Sequence, residues 1–590
     1  MMRARWPFAL AVTLWAAGVG LDQGRDWIAA TELPPLSLPT SVEVVDRGGV
    51  LLRAYTVADG RWRMAVTPGE VDADYIAMLI AYEDKRFWTH TGVDWRALLR
   101  AGAQALRYGR VVSGGSTLTM QVARLLEESG TGKVAGKLRQ MRVALALEQR
   151  LSKAQILQLY LHLAPFGGNL EGVRAASLSY FGKEPKRLTP AEAALLVAIP
   201  QAPESRRPDR HPARAAEARG RVLENALRAG LLTDEQRATL GELVPEARRP
   251  VPMLAPHLAD RVLRENPGLP RHQLTLDAGL QKSLEQLAQE AVAGRGERMQ
   301  IAILAADYRS GEILASVGSA GFLADPRQGF VDMTRALRSP GSTLKPLVYA
   351  LAFDEGLAHP ETMIDDKPVN FGTYAPRNFD KLFRGTLRIR EALQLSLNIP
   401  VVLLTEALGP AKLLAAMRQA GMNPVLKGDE PGLAISLGGV GVSLVDMVQL
   451  YAALARGGVV LPLRYTGEGA EGQRVVSAVA AWQVGDILAG LPPPPGAPGN
   501  RLAYKTGTSY GHRDAWAIGF DGRHVVGVWM GRADGTPVPG AFGADTAAPV
   551  LFEAFGRISR SLTPRPPAPK AALLVSNAEL PQPLRRFRSR

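Results

Sequence analysis

Pro340-Gly341-Ser342-Thr343-Leu344-Lys345-Pro346 opens an apolar run that continues to Phe353. The run reads as a helix, with Pro346 in its first turn, where no N–H partner is lost. Ser342 then sits at the helix N-terminus, where the dipole favours negative charge developing on its oxygen. Lys345 follows on the same face and can take the hydroxyl proton if burial lowers its pKa. A lone Ser-x-x-Lys arises roughly once by chance in a chain of this length. Here Ser396-Leu397-Asn398 follows 54 residues later, and Lys505-Thr506-Gly507-Thr508 another 109 residues on, in a strand-like setting.

Around these motifs the pattern is α+β. Ile301–Asp307 and Gly311–Val317 read as paired strands about the turn at Tyr308–Gly311, and late strands recur at Arg501–Lys505, Ala515–Phe520 and His524–Met530. The earlier part, Val71 to Leu195, is helical in pattern, with one long helical run over Lys137–Leu163. Pro200 to Pro270 is Pro- and Arg-rich and reads as a connector with two short amphipathic helices. Leu491–Pro498 and Thr563–Pro569 read as loops or linkers, and the final Arg585–Arg590 as a solvated basic end.

Composition narrows the function classes. The 590 residues are 46% hydrophobic and 21% charged, enough apolar material for several cores, which excludes a disordered chain. The absence of cysteine removes disulfides, thiolate metal sites and Cys nucleophiles. The eight histidines show no metal-ligand spacing. A net charge of +14 points to anionic partners, yet no nucleic-acid module or Walker loop is present. Gly-rich Ser436–Ser443 lacks the spacing of a dinucleotide loop.

Trp6–Leu21 is uncharged over sixteen residues and follows Arg3 and Arg5, an arrangement that keeps the N-terminus in the cytoplasm. It reads as an uncleaved signal-anchor, a cleaved signal or a buried helix; no small-x-small cleavage site follows, which favours the anchor. Either export reading places everything after Asp22 outside the cytoplasm.

A second constellation lies in the helical part. Tyr82-Glu83-Asp84-Lys85-Arg86-Phe87 ends an amphipathic helix, the polar stretch Gly114–Gln121 enters another, and Arg124, Lys133, Lys137, Arg139 and Arg142 place five cations close by. One carboxylate near such a cluster suits proton abstraction beside an anionic leaving group such as pyrophosphate. The alternative is a capping Glu83 on a solvated basic face.

The strings decide between them. EDKRFWTHTGVD, GGSTLTMQVARLL, KLRQMRVALALE, YLHLAPFGGNLEGVRAASLSYFGK and AIPQAP resemble the motifs of the peptidoglycan glycosyltransferases over roughly 150 residues. The resemblance implies a mainly α, lysozyme-like domain that sits against the membrane and polymerises lipid II. It implies Glu83 as the base that deprotonates the acceptor sugar hydroxyl, and Arg124 and Lys137 around the pyrophosphate. Asp84, Ser116, Thr117, Gln121 and Gln140 fall among the substrate-binding positions. Family members usually carry a second Glu at Gln140 and often Asn at His162. A neutral amide donates hydrogen bonds but is no base, so Gln140 leaves a single-base reading on Glu83. No cofactor is implied beyond a divalent metal ion at the pyrophosphate, which nothing in the sequence fixes.

Leu274 to about Gly556 is similar to the transpeptidase domain of the class A, bifunctional penicillin-binding proteins, and GKLRQ with LAPFGGNLEG resembles their 1C branch. This resemblance implies an antiparallel sheet flanked by helices. Ser342 would attack the D-Ala-D-Ala carbonyl of a stem peptide, with Lys345 as base and the N–H groups of Ser342 and Thr508 as oxyanion hole. Ser396 would relay a proton to the leaving amine, Asn398 would orient substrate, and Lys505 with Thr506 and Thr508 would bind its carboxylate, Gly507 lying between them in the substrate-binding strand. No E-x-x-L-N string supplies the deacylating Glu of a class A β-lactamase.

The expected organisation is a cytoplasmic tip and anchor helix over 1–22, a glycosyltransferase domain over 40–210, a linker over 211–273, a transpeptidase domain over 274–556 and a Pro-rich, basic tail over 557–590. The expected function is a single-pass cell-wall synthase of the bacterial inner membrane with its catalytic domains in the periplasm. Its partners would be lipid II, stem peptides, β-lactams as inhibitors, the cytoplasmic membrane and other cell-wall synthesis proteins, with no nucleic acid. The rivals are a glycosyltransferase whose second domain only senses stem peptide or β-lactam, and a scaffold with both sites idle. LPQPLRRFRSR looks like the lead-in to a further C-terminal module.

Overall fold

In this computed structural model the chain begins with a helix, Arg5–Ala29 (α1), and a hairpin of Glu43–Val45 (β1) and Leu51–Ala54 (β2). The structure describes residues 5–108, 115–127, 134–238, 240–241, 244–467, 469, 471–497 and 502–588, without the side chains of 5–14, 16, 17, 105 and 134. Lys133, Gly114 and Arg501 of the motifs above, and most side chains of the Trp6–Leu21 stretch, therefore lie outside the described residues. Among the described residues no single helix is long and apolar enough to cross a membrane. The chain divides into two units, residues up to Glu43 with Ala54–Pro252, and Val44–Arg53 with Met253–Arg590.

The first unit is helical: α2 (Ala73–Glu83), α3 (Trp95–Tyr108), α4 (Leu118–Leu126), α5 (Val134–Arg150), α6 (Lys153–Leu163), α7 (Val173–Phe181), α8 (Pro190–Ala198), α9 (Pro212–Arg228) and α10 (Asp234–Ala238). The long run over Lys137–Leu163 is in fact two helices. Ser152 starts α6 with a capping box, its hydroxyl accepting from Gln155 N while Gln155 Oε1 accepts from Ser152 N at 2.9 Å. Such caps satisfy the first orphan N–H groups of a helix and so fix where it begins. The connector also holds more structure than its composition suggests. Over α9, Ala215, Ala218, Val222 and Ala226 are buried, and the helix packs on α8 and α2.

A short parallel pair, Trp62–Arg63 (β3) with Leu170–Glu171 (β4), brings Arg63 against Glu171, Nε to Oε2 at 2.8 Å. Both side chains are buried, 7% and 11% exposed, and Arg61 also reaches Glu171.

The second unit is built on a five-stranded antiparallel sheet ordered β12 (Ala503–Thr508), β13 (Asp514–Phe520), β14 (His524–Arg532), β6 (Met299–Asp307), β7 (Glu312–Val317). Smaller pairs are β8 (Met363–Asp366) with β9 (Gly385–Arg388) and β10 (Val459–Val460) with β11 (Gln473–Arg474), while β1 and β2 join β5 (Arg271–Gln273). Its helices are α11 (Pro256–Glu265), α12 (Ala278–Val292), α13 (Lys345–Asp354), α14 (Ile389–Gln394), α15 (Asn398–Leu408), α16 (Pro410–Gln419), α17 (Leu444–Ala455), α18 (Ala478–Ala489), α19 (Ala548–Ile558) and α20 (Gln582–Arg585). On one face of the sheet Val526 and Val528 join Leu284 and Leu287 of α12 and Leu551 and Phe555 of α19 in one core. On the other face α17 comes so close to β14 that a Cβ at Gly527 would lie 2.5 Å from Val448. With both faces covered, every residue of β6 is buried, which explains the unbroken apolar run Ile301–Ala306 at its centre.

The basic tail does not hang free. Phe587 N donates to Met363 O at 2.8 Å, Asn577 Nδ2 to Glu361 O at 2.8 Å, and Arg586 meets Asp365 at 2.9 Å.

Removing one partner of a buried ion pair leaves the other desolvated without compensation. Glu171→Ala is therefore expected to cost the first unit about 3 kcal/mol. Hydrogen exchange should quicken across β3, β4 and α7 while the five-stranded sheet keeps its protection.

Candidate active sites

Glu83 is the last residue of α2, and its carboxylate is gripped from two sides. Gln121 Nε2 of α4 donates to Oε2 at 2.8 Å, and Gln201 Nε2, just past α8, donates to Oε1 at 2.7 Å. Burial raises the Glu83 pKa above the ordinary carboxylate value, while the two amides, Arg206 and Arg124 pull it back down. The phenols of Tyr75 and Tyr160 close the wall behind it; both are fully buried, with pKa values raised by burial and by Glu83. The result is a carboxylate with increased affinity for a proton, beside cations and fixed amide donors.

Its neighbours divide into groups that face this pocket and groups that shape it. Lys137 Nζ of α5 donates to Ser116 Oγ, and its pKa is lowered by burial and by Arg124. Asp84 is 6% exposed and committed to structure, accepting from Leu118 N at 2.9 Å and meeting His90 Nε2 at 2.9 Å. Thr117 caps α4, accepting from Met120 N, and donates to Gly92 O at 2.6 Å. Together Asp84 and Thr117 fasten the start of α4 beside the end of α2, which puts Gln121 opposite Glu83. Gln140 is 5% exposed on α5. Two of the five cations go elsewhere: Arg139 pairs with Glu127, and Arg142 binds Trp27 O and lies over the Trp27 ring at 4.3 Å. His162 Nε2 lies 2.8 Å from Val66 O, a backbone anchor.

In the second unit Ser342 lies in a 3-10 turn, Gly341–Leu344, that runs directly into α13. The turn is pressed against β12. A Cβ at Gly341 would come 2.6 Å from Thr508 O, and one at Gly507 would come 2.7 Å from Pro340 O. Gly438, in the Gly-rich stretch Ser436–Ser443, closes the other side, where a Cβ would lie 2.5 Å from Gly341 N. Tyr451 of α17 donates to Thr343 O at 2.8 Å and Trp516 of β13 to Ser339 O at 2.9 Å, fixing the turn further.

Lys345 is completely buried. Its Nζ donates to Ser396 O at 2.6 Å, Asn398 Oδ1 at 2.7 Å and Leu397 O at 3.1 Å, with Ser396 Oγ at 3.5 Å. Burial, helped by the Lys505 charge, holds its pKa well below that of an ordinary lysine. Ser396 takes a left-handed backbone, φ 56°, uncommon for a residue other than glycine, and this turns Ser396 and Asn398 to the same lysine. Lys505 is also buried and has its pKa lowered to about 7 by desolvation. Thr508 Oγ1 accepts from Gly543 N at 3.1 Å. Ser342, Lys345, Ser396, Asn398 and the strand Lys505–Thr508 thus converge around one turn.

Several residues around the two sites are given no role by a motif. Gln201 lies within the AIPQAP string without a role of its own and Arg206 lies beyond it, and both reach Glu83 only through the fold. Phe379, His512 and Phe542 form a triangle of edge-on rings with centroids 4.9–5.9 Å apart. Asn378, beside Phe379, accepts from Asn398 N at 2.8 Å, and Phe542 precedes Gly543, the partner of Thr508. The triangle therefore joins the Asn398 side of the cleft to the Thr508 side. Among the described residues no cluster of three or more His, Asp or Glu is arranged to hold a metal ion.

Residues 49–227 match the family described as Transglycosylase, and residues 301–535 match the penicillin-binding protein transpeptidase domain. The chain is 44% identical over 555 residues to penicillin-binding protein 1C of Escherichia coli, covering 92% of this chain and 70% of that one. It is 32% identical over 523 residues to penicillin-binding protein 1B of Vibrio cholerae, covering 79% of this chain and 65% of that one. The crystal structure of penicillin-binding protein 1A from Haemophilus influenzae shares the fold at a TM-score of 0.53 and 16% identity, over 92% of this chain and 95% of that one. With a transglycosylase domain in its helical part and a transpeptidase domain on its antiparallel sheet, the chain belongs to the class A penicillin-binding proteins, the bifunctional peptidoglycan synthases.

Proposed function

We propose that Glu83 is the single general base of glycan polymerisation and Ser342 the acyl-transfer nucleophile, each working beside a group whose charge is adjusted by burial. The observation that carries this reading is a desolvated base held by fixed polar partners in each unit: the Glu83 carboxylate accepts from Gln121 and Gln201, and Lys345 Nζ donates to Ser396 O, Leu397 O and Asn398 Oδ1.

In the first unit Glu83 takes the proton of the acceptor sugar hydroxyl as its oxygen attacks the donor's anomeric carbon. The lipid-linked pyrophosphate departs toward Arg124 and Lys137, whose positive charge offsets the charge it gains. With no cluster of three or more His, Asp or Glu among the described residues, any divalent ion would be held mainly by pyrophosphate oxygens. In the second unit neutral Lys345 takes the Ser342 proton while Ser342 Oγ attacks the penultimate D-Ala carbonyl. An ammonium fills all three acceptors around Nζ; a neutral amine has two N–H groups and keeps a lone pair for the hydroxyl. Ser396 returns a proton to the leaving D-Ala amine, and an amine from a second stem peptide resolves the acyl-enzyme. Lys505, Thr506 and Thr508 bind the substrate carboxylate. Helix α1, with Arg3 and Arg5 before the uncharged Trp6–Leu21, supports single-pass anchoring in the inner membrane with both units on its outer side.

A lipid II reaction on detergent-solubilised protein, with glycan polymer and released D-Ala measured separately, tests the assignment. Glu83→Gln should reduce polymerisation by about 100-fold or more while penicillin acylation persists, and Ser342→Ala should do the reverse. Acylation by stem peptide without crosslinked product would instead make the second unit a receptor. Equal loss of both activities in either folded variant rejects the two-site assignment.

The pH dependence has a sign in each site. Glu83 must be deprotonated to act, so polymerisation falls on the acid side at a pH above the ordinary carboxylate range. Gln121→Leu removes a donor to the carboxylate, raises its pKa further and should move this limb to higher pH. Lys505 holds a carboxylate only while protonated, so acylation by a free-acid penicillin should decline as pH rises through about 7. The corresponding methyl ester, lacking the carboxylate, should not follow that decline.

A further inference from the structure

A cavity of about 310 Å³ lies in the second unit where the Pro-rich tail crosses the ends of α17 and α18. Its apolar side is formed by Trp482, Phe520 and the prolines after Arg565, and its polar side by Arg309, Arg456 and Arg565. The register pairs Ala503 with Phe520 at this end of β12 and Thr508 with Ala515 at the catalytic end. Five residue steps at about 3.4 Å each put the cavity roughly 17 Å from the Ser342 turn.

Among the described residues the cations here lack dedicated counter-charges. Arg456 caps the C-terminus of α17, where the dipole favours a cation, yet its Nη2 is buried and has no hydrogen-bond partner among the described residues. The carboxylate nearest it in effect, Asp307, is already taken by Arg309 N at 2.9 Å and Arg523 Nε at 2.7 Å. Asp486 acts on Arg565 but lies 3.6 Å from Arg390 as well. Asp521, also in the wall, accepts from Arg523 N, His524 N and Thr563 N. Burial lowers the pKa of both Arg456 and Arg565, the mark of guanidinium groups taken out of water with incomplete compensation. The tail wall is fixed in place, since Trp482 Nε1 donates to Pro566 O at 3.3 Å and Gly522 N to Thr563 O at 2.8 Å.

We propose that this cavity binds a small organic anion, a carboxylate or phosphate carried on a flat apolar ring, with the anionic group on Arg456 and Arg565 and the ring against Trp482 and Phe520. A planar guanidinium matches either anion in two-pronged geometry, and the volume limits the ligand to one ring or a little more. The site is separate from both catalytic centres and does not depend on the roles assigned to them.

Phenyl phosphate and benzoate serve as probes, with inorganic phosphate as the control, on the full chain in detergent. Titration calorimetry and saturation-transfer NMR should show one ring-bearing probe binding, and inorganic phosphate binding at least about tenfold more weakly. Arg456→Met and Arg565→Met should each weaken the probe by about tenfold or more. Retained acylation by labelled penicillin shows that each variant is folded; should either fail that check, Arg456→Lys, which keeps the charge and loses the fork, replaces it. Prior acylation of Ser342 should leave probe binding unchanged. No binding by either probe, equal binding by the folded variants, equal binding of inorganic phosphate, or loss of binding on acylation would each overturn the proposal.

Discussion

The proposed chemistry depends on taking ionisable groups out of water in each unit. Desolvation disfavours the charged form, so it raises the proton affinity of a carboxylate and lowers that of an amine. Glu83 moves up and Lys345 moves down, the directions that favour a base able to accept a proton and release it again. The burial is tolerable only because polar partners are waiting, and those partners come from other segments: α4 and the turn after α8 for Glu83, the Ser396–Asn398 turn for Lys345. The fold is what makes the chemistry affordable.

In the second unit that requirement translates into backbone proximity. The Ser342 turn must sit directly on β12, and a side chain at Gly341 or Gly507 would occupy the space where the two backbones meet. Gly438 performs the same service from the opposite side, so Ser436–Ser443, which resembles a nucleotide loop only in composition, is a packing surface for the Ser342 turn. Gly341, with φ of 51°, additionally needs a conformation that other residues rarely adopt. The glycine of Lys-Thr-Gly is thus explained by a contact with Pro340, 167 residues away in sequence.

Much of this architecture is legible in the sequence where a local signal exists. The strands of the sheet announce themselves through apolar, β-branched runs, and β6, β7, β13 and β14 lie within two residues of where those runs place them. Strand β12 runs on to Thr508, past its expected end at Lys505, because its pairing with β13 is continued through Thr508 and Ala515. The break between α5 and α6 had a readable signal in Ser152 and Gln155, a capping box masked by the apolar periodicity on either side. What no local pattern reveals is long-range placement: that β6 pairs with β14, that Gln201 reaches Glu83, and that the basic tail finds Asp365 and the edge of β8. Asp84 and Thr117 sit inside a motif, but their side chains are turned to hydrogen bonds that hold α4 in place, a distinction that residue type cannot make.

Gln140 shows how the same reasoning bears on mechanism. The groups acting on Glu83 are two amides and two guanidiniums, with burial opposing them, and no second carboxylate is among them. A like charge nearby would push the Glu83 pKa further upward and would favour sharing a proton between two acids. A buried amide at Gln140 adds neither charge nor titration and costs less to desolvate than a carboxylate would. Burial, opposed by Gln121, Gln201, Arg124 and Arg206, thus raises the proton affinity of Glu83 without a second carboxylate at position 140, which suits the proposed role of a single base.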